Sequence, residues 1–280
     1  MTEAPAPSSG RRQGRPSGGR LWQLATHWSE YQGYLLGLEQ QLDRATLPGL
    51  GAVRMEDTYV PLQLLLWRDP DRRDGMTQKP AVAGVDLEQA LAEHPQVLVI
   101  GPAGTGKSAL LRHLGLLTAR RIHQAGRRGL VIGHRSPLPI YLNISDLDVS
   151  VSLEAAAAAS MSAGGFGRPE SFLDAHLEEG ACLLLLDGLD ELAPAARKAA
   201  ADRVRALVAR HPGNPVVVAS RDPADRIWFP EFQALEVGGV GVASIDTLVG
   251  RWGHGQRASA SGFLQVLERF DVDRDDGVPG

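Results

Sequence analysis

The sequence predicts an α/β fold in which a mainly parallel sheet is covered by helices. Short apolar runs rich in branched residues, which are typical of buried parallel strands, alternate with segments that carry apolar residues at helical spacing. Such alternation implies crossover connections and therefore parallel strands. Three polar motifs directly follow strand-like runs, at 101–108, 187–191 and 220–221. Because ligands of such sheets bind at the carboxyl ends of the strands, these motifs are the first candidates for a functional site.

The individual elements follow from the same patterns. Residues 21–44 are predicted to be helical because apolar residues recur every three or four positions, and 47–51 end this helix. Residues 54–64 are interpreted as a short extended segment broken by Pro61, and 69–82 as a surface loop. The predicted strands are 96–100, 137–144, 181–186, 216–219 and 234–237, and the further predicted helices are 86–92, 108–120, 153–163, 171–179 and 194–209.

Composition and charge exclude several classes of function. Apolar residues make up 43% of the chain, which is enough for a sizeable core, and a net charge of −4 gives no general attraction to nucleic acid or acidic membranes. The sequence contains no apolar run near the ~20 residues that span a bilayer, and it begins without a signal peptide. Cys182 is the single cysteine, so no intrachain disulfide can form. We therefore expect a cytoplasmic protein without membrane or nucleic-acid partners.

The most specific signal is the segment Gly101-Pro102-Ala103-Gly104-Thr105-Gly106-Lys107-Ser108, which matches the pattern G-x-x-x-x-G-K-S. Glycines at these positions let the chain wrap so that backbone N–H groups point at the α- and β-phosphates of a nucleotide. Lys107 can reach the β- and γ-phosphates, and the Ser108 hydroxyl can bind Mg²⁺. The following helix, which includes Ala109, directs its positive end at the same anion. We therefore predict a P-loop NTPase fold, a three-layer sandwich preceded by a small helical segment, with 101–109 as the nucleotide-binding segment.

A second motif follows at 183–191, Leu-Leu-Leu-Leu-Asp-Gly-Leu-Asp-Glu. An apolar strand that carries an acid at its exposed end is the Walker B arrangement, in which Asp187 would hold Mg²⁺ beside Ser108. Asp190 and Glu191 lie one short turn later, where either carboxylate could orient or deprotonate the attacking water. The alternative is that Glu191 caps the next helix. We expect at least one catalytic carboxylate and rank Asp190 slightly ahead of Glu191.

Together with Val-Val-Val-Ala-Ser-Arg at 216–221, these two motifs resemble a NACHT domain. NACHT domains are STAND-class P-loop NTPases, signalling ATPases of innate immune receptors and bacterial defence proteins. Gly188 after the Walker B acid is typical of the family, and Tyr-Val-Pro-Leu at 59–62 resembles segments that precede bacterial NACHT domains. The resemblance implies ATP and Mg²⁺ as cofactors and Arg221 as a catalytic sensor of the γ-phosphate, a role that suits the planar guanidinium. A surface salt bridge is the alternative for Arg221.

The same resemblance suggests a division of the chain and a function. The expected parts are a disordered tail (1–20), a helical region preceding the NACHT domain (21–79), the nucleotide-binding domain (80–256), and a partial lid helix with an acidic tail (257–280). The family continues into a helical lid and a winged helix, whereas this sequence predicts only two further helices, at 244–252 and 259–270. We therefore expect either a truncated protein or a minimal module that self-associates or works with a separate sensor or effector.

Two functions are compatible with these motifs. The first is an ATP-binding signalling switch with slow hydrolysis, and the second is a nucleotide-binding interaction module without useful turnover. A P-loop kinase or DNA-handling ATPase is disfavoured, because the sequence has neither an arginine-rich acceptor-binding lid nor a basic stripe.

Overall fold

The structure is a computed structural model that describes residues 27–47, 51–67, 84–127, 136–148 and 150–238. The predictions for 1–20, for the loop at 69–82, and for the segments at 244–252 and 257–280 fall outside the described residues.

Eight strands and seven α-helices make up the described residues, and three short 3-10 turns connect some of them. In chain order they are α1 (Trp28–Asp43), β1 (Arg44–Leu47), β2 (Gly51–Arg54), α2 (Met55–Thr58), β3 (Leu64–Leu66), α3 (Leu87–Glu93), β4 (Gln96–Ile100), α4 (Lys107–Arg127), β5 (Leu138–Asn143), α5 (Leu153–Ala163), α6 (Glu170–Glu178), β6 (Cys182–Asp187), α7 (Pro194–Arg210), β7 (Val216–Ser220) and β8 (Gln233–Val237). The 3-10 turns are Ile144–Asp146, Leu189–Glu191 and Pro223–Trp228. All five predicted strands are present, each within one or two residues of its expected bounds.

Six of the strands form one sheet in the order β3-β8-β4-β7-β6-β5. Its pairs are parallel except at the edge, where β3 runs antiparallel to β8. The predicted mainly parallel α/β sheet is thus confirmed. Strand β7 lies between β4 and β6, although it follows both in the chain. This order brings the carboxyl ends of β4, β7 and β6 side by side, and these ends carry the three motifs.

Helices cover both faces of this sheet. Every residue of β6 and β7 is buried, which requires packing on each side of the central strands. Helix α4 packs against β5, β6 and β7, α1 lies against α4, and α5 contacts β5, α6 and α7. The result is the predicted three-layer arrangement. No helix in the described ranges is long and apolar enough to cross a membrane.

The region before β4 begins with a helix, as predicted, but the segments that follow this helix differ from the prediction. Helix α1 ends at Asp43 and leads into the antiparallel β1–β2 hairpin. The extended segment predicted for 54–64 is wrong in its first half, where Met55–Thr58 form one helical turn. Two acidic residues in that turn favour a helix N-terminus, and the Asp43 carboxylate accepts a hydrogen bond from the Glu56 N–H at 3.3 Å.

Ion pairs tie this region to helix α4. The Arg120 guanidinium lies 3.7 Å from Glu39, 3.4 Å from Asp43 and 3.1 Å from Glu56. About one helical turn after Arg120 on α4, a ring nitrogen of His123 lies 2.8 Å from the Glu39 carboxylate. The region before the sheet is therefore held on the helix that begins at the P-loop.

Candidate functional site

The segment between β4 and α4 has the backbone conformation that the P-loop motif requires. Gly104 and Gly106 have φ angles of +79° and +91°, in the region that glycine adopts without strain. The Gly101 N–H donates to the Ser220 carbonyl at 3.2 Å, which ties the start of the loop to β7. Within the described residues, the N–H groups of Ala103, Gly104 and Gly106 make no hydrogen bond. They are therefore available to an anion.

Lys107 is buried at the first position of α4, next to the exposed Ser108. Its ammonium donates to the carbonyls of Gly101 at 2.6 Å and Pro102 at 2.8 Å. Burial lowers the pKa of Lys107, the carboxylate of Asp190 opposes this shift, and Arg221 adds to it. Asp187 also acts on the Lys107 pKa, in the same direction as Asp190. The candidate residues from three separate motifs therefore lie close enough to Lys107 to affect its pKa.

Asp187 ends strand β6, and its carboxylate is buried and held on both sides. Oδ2 accepts a hydrogen bond from the Tyr141 hydroxyl at 2.8 Å, and Oδ1 accepts one from the Gly188 N–H at 3.0 Å. Burial, with the negative charge of Asp187, raises the pKa of Tyr141, so its hydroxyl stays protonated and acts as a donor. The orientation of the predicted metal ligand is thus fixed by the neighbouring strand β5.

The position after Asp187 strongly favours glycine. Gly188 has a φ of +75°, and a Cβ atom built on it would lie 2.1 Å from Oδ1 of Asn143. Asn143 stands beside Asp187 in the register of β5 and β6, so its side chain fills the space next to Gly188. A side chain at 188 would disturb both strand ends at once.

Both members of the acid pair, Asp190 and Glu191, have partners. Asp190 Oδ2 lies 2.8 Å from Nε of Arg221, in a pair whose carboxylate side chain is 10% exposed and whose arginine side chain is 51% exposed. Glu191 Oε2 accepts a hydrogen bond from Ser145 Oγ at 2.9 Å, and its other oxygen lies 3.8 Å from Arg221. Arg221 thus forms the salt bridge considered above, with the acid pair as its partner. Helix α7 has no side-chain N-cap, so Glu191 does not cap it.

Sequence reasoning missed several residues of this site. Leu62 lies against Gly106, with its Cδ1 atom 3.3 Å from the position that a Cβ would occupy. The motif at 59–62 was a signal for this segment, although not for its contact with the P-loop. Tyr141, Ser145 and Arg197 gave no local signal, because their partners lie on other strand ends or loops.

The donor set fits a nucleotide with a magnesium ion. The loop amides and Lys107 suit phosphate oxygens. Oxygen atoms of Ser108 and Asp187 suit Mg²⁺, which is commonly held by one or two protein ligands together with phosphates and water. In the part of the chain that the structure describes, no cluster of three or more histidine, cysteine or acidic residues could hold a metal by itself.

Comparison with known families agrees with this geometry. The family model described as NACHT domain matches residues 95–256, more than half of the 280 residues. No curated protein matches the chain at a significant level. The matched segment contains β4, the P-loop, the acid motif and Arg221, and NACHT domains are P-loop NTPases that bind nucleotides. This chain belongs to the NACHT-domain family.

Proposed function

We propose that this protein is an ATP-binding signalling switch of the STAND class that hydrolyses ATP slowly with Mg²⁺. The observation that supports this most strongly is the grouping of Lys107, Asp187, Asp190 and Arg221 around one P-loop. These residues lie at or just after three strand ends; Asp187, Asp190 and Arg221 all act on the pKa of Lys107, and Asp190 also pairs with Arg221. Such a grouping supplies cations for phosphate and carboxylates for a metal and a water molecule.

Each residue has a distinct role in this proposal. The loop amides and Lys107 bind the phosphates, and to reach them Lys107 exchanges its bonds to the carbonyls of Gly101 and Pro102. Ser108 and Asp187 hold Mg²⁺, which supplies positive charge to the phosphates when it is bound. Asp190, ranked ahead of Glu191, orients or deprotonates the attacking water.

Arg221 connects binding to a signal. Its guanidinium can bind either Asp190 or a third phosphate, and a diphosphate offers no third phosphate. The two nucleotides therefore leave Arg221 with different partners. We propose that this difference is read by a second copy of the chain or by a separate sensor or effector in the cytoplasm, in bacterial defence or regulation.

Calorimetric titration with ATP, ADP and GTP, with and without Mg²⁺, tests this function. Wild-type protein is expected to bind ATP, and Lys107→Ala to weaken binding at least about ten-fold through loss of charge-assisted hydrogen bonds. The matched control is Lys198→Ala, because Lys198 is exposed on α7 and forms an ion pair with Asp202 at the surface. Wild-type protein that binds none of the three nucleotides would exclude the proposal.

A second candidate function is a nucleotide-binding interaction module without useful turnover. The observation that favours it is that both carboxylates already have partners, Asp190 with Arg221 and Glu191 with Ser145. In that case Asp190→Asn and Glu191→Gln leave assembly with partners unchanged, while Lys107→Ala abolishes it. Phosphate release measured on wild-type protein separates the two candidates, because only the switch shows turnover that these substitutions reduce.

A further inference from the structure

Arg197 joins the two loops that carry the acid pair and Arg221. It lies in the first turn of α7 with its side chain 19% exposed. Its Nε donates to the Leu192 carbonyl at 2.9 Å, and Leu192 directly follows the 3-10 turn that carries the acid pair. Its Nη1 lies 3.3 Å from Asp222 and 3.5 Å from Asp225. One guanidinium therefore contacts the loop after β6 and the loop after β7.

The loop after β7 is tightly bonded around Arg221. Ser220 and Asp225 are buried, and the Ser220 hydroxyl donates a hydrogen bond to the Asp225 carboxylate. The same hydroxyl accepts from the Asp222 N–H at 3.2 Å, and Asp222 Oδ1 accepts from the Ala224 N–H at 2.9 Å. The residues on both sides of Arg221 are thus held, while the Arg221 side chain itself is half exposed.

The buried carboxylate of Asp225 stabilises Arg197 in this position. The Asp225 side chain is 1% exposed, and a buried carboxylate needs a cation or donors to offset the loss of water. Arg197 supplies that charge, and its planar fork can donate to a carbonyl and to carboxylates at the same time. A lysine ammonium is a point charge and cannot reproduce this geometry.

We propose that Arg197 is a positioning residue that holds Asp190 and Arg221 in contact by joining their two loops. Among the described residues, its hydrogen bonds and ion pairs go to Leu192, Asp222 and Asp225 and not to the nucleotide-binding segment 101–109. Its effect passes through the Asp190–Arg221 pair, which in the proposed function exchanges with a third phosphate. The inference therefore deepens the proposed function, although the contact itself can be tested without nucleotide.

The first experiment is a double-mutant cycle on the full chain without nucleotide. Unfolding by urea is measured for wild type, Asp190→Asn, Arg221→Ala and the double variant, and the cycle is repeated with Arg197→Gln. We expect a coupling of about five-fold in the unfolding equilibrium constant when Arg197 is present. With Arg197→Gln we expect the coupling to fall below about two-fold, which is the limit of additivity. Arg205→Gln, on the same helix and paired with Asp202 and Glu231, is the control that retains the coupling.

A second variant keeps the test decisive if Arg197→Gln does not fold. Arg197→Met combined with Asp225→Asn removes both charges together and leaves no unpaired buried charge. Asn can still accept the Ser220 hydrogen bond. Coupling that persists at full strength in either background overturns the inference.

The second experiment relates the contact to nucleotide. We compare wild type with Asp190→Asn. For each protein, the measured quantities are the affinities for ADP and for a non-hydrolysable imido analogue of ATP, both as Mg²⁺ complexes. When Arg197 is present, we expect Asp190→Asn to shift the ratio of the two dissociation constants about five-fold toward the triphosphate. In the Arg197→Gln background we expect the same substitution to shift this ratio less than about two-fold. An equal shift in both backgrounds overturns the inference. If neither nucleotide binds while the first experiment succeeds, the proposed function fails and the positioning role stands.

Discussion

Replacement of Asp190 by asparagine is expected to increase the affinity for a nucleoside triphosphate relative to the diphosphate. Asp190 holds Nε of Arg221 at 2.8 Å, and a third phosphate competes for the same guanidinium in the proposed function. Asparagine has nearly the same shape but no charge, so it removes the competitor without creating a cavity. The affinity for the diphosphate increases less, because a diphosphate has no third phosphate to bind Arg221.

The exposure of the two side chains sets the size of this effect. A fully exposed pair contributes ~0.2–1 kcal/mol, and this pair belongs at the upper end because the carboxylate is only 10% exposed. The arginine is 51% exposed and remains screened by water, so a larger value is not expected. About 1 kcal/mol corresponds to a shift of about five-fold in the ratio of the two dissociation constants.

Titration with ADP and with a non-hydrolysable imido analogue of ATP, both with Mg²⁺, measures this ratio without interference from turnover. The matched control is Glu191→Gln, which makes the same change of charge one residue away. Glu191 lies 3.8 Å from Arg221 and is bonded to Ser145, so its shift should be smaller. The reasoning is refuted if Asp190→Asn leaves the ratio unchanged or lowers it, or if Glu191→Gln shifts it equally.

Three further results are expected. Gly188→Ala should lower the free energy of unfolding by about 2–4 kcal/mol, because it combines a left-handed backbone with a Cβ 2.1 Å from Asn143 Oδ1. The control in the same urea unfolding experiment is Gly104→Ala, which has a similar φ but no described atom within 4 Å of its Cβ and should lose less stability. Tyr141→Phe removes the donor to the aspartate that ends β6 and should raise the Mg²⁺ concentration for half-maximal nucleotide binding about ten-fold, and an unchanged Mg²⁺ titration would contradict this role. Burial raises the pKa of Asp225 above its ordinary 3.8, so the folded state holds this proton more tightly than the unfolded state, and stability is lost as pH rises through the folded pKa. Asp225→Asn should flatten that dependence in urea unfolding followed over the acidic range above 3.8, and an unchanged slope would count against the assignment.

Most of the six-stranded sheet could be predicted from local pattern, whereas its short edge strand β3 and the separate β1–β2 hairpin could not. The strands β4, β6 and β7 are apolar except for one polar residue at an end of each, and they lie inside the sheet, where burial on both faces dictates the composition. Strand β3 has three residues, and the β1–β2 hairpin has four in each strand. Segments this short carry too few alternations to show a period. Their pairing depends on the strand beside them, which local sequence does not reveal.

Some residues of the candidate site could likewise be predicted from local motifs, whereas the contacts between them could not. Lys107 and Asp187 were found because their motifs place a given residue type at a given offset from a strand. The contacts of Ser145 with Glu191 and of Arg197 with Asp222 link residues far apart in sequence. They exist because β7 lies between β4 and β6 and because β5 pairs with β6. Strand order is a property of the whole sheet, so no window of sequence contains it.

By itself, the sequence determined that this protein has a P-loop on a mainly parallel α/β sheet, with an acidic motif at a second strand end and an arginine at a third. Those features are local, since each depends on a strand and the few residues that follow it. Only the tertiary structure decided which side chains meet: Asp190 with Arg221, Glu191 with Ser145, and Arg197 with both loops. The physical reason is that hydrogen bonds and ion pairs act over a few ångströms, and the packing of the sheet sets which chain segments come that close.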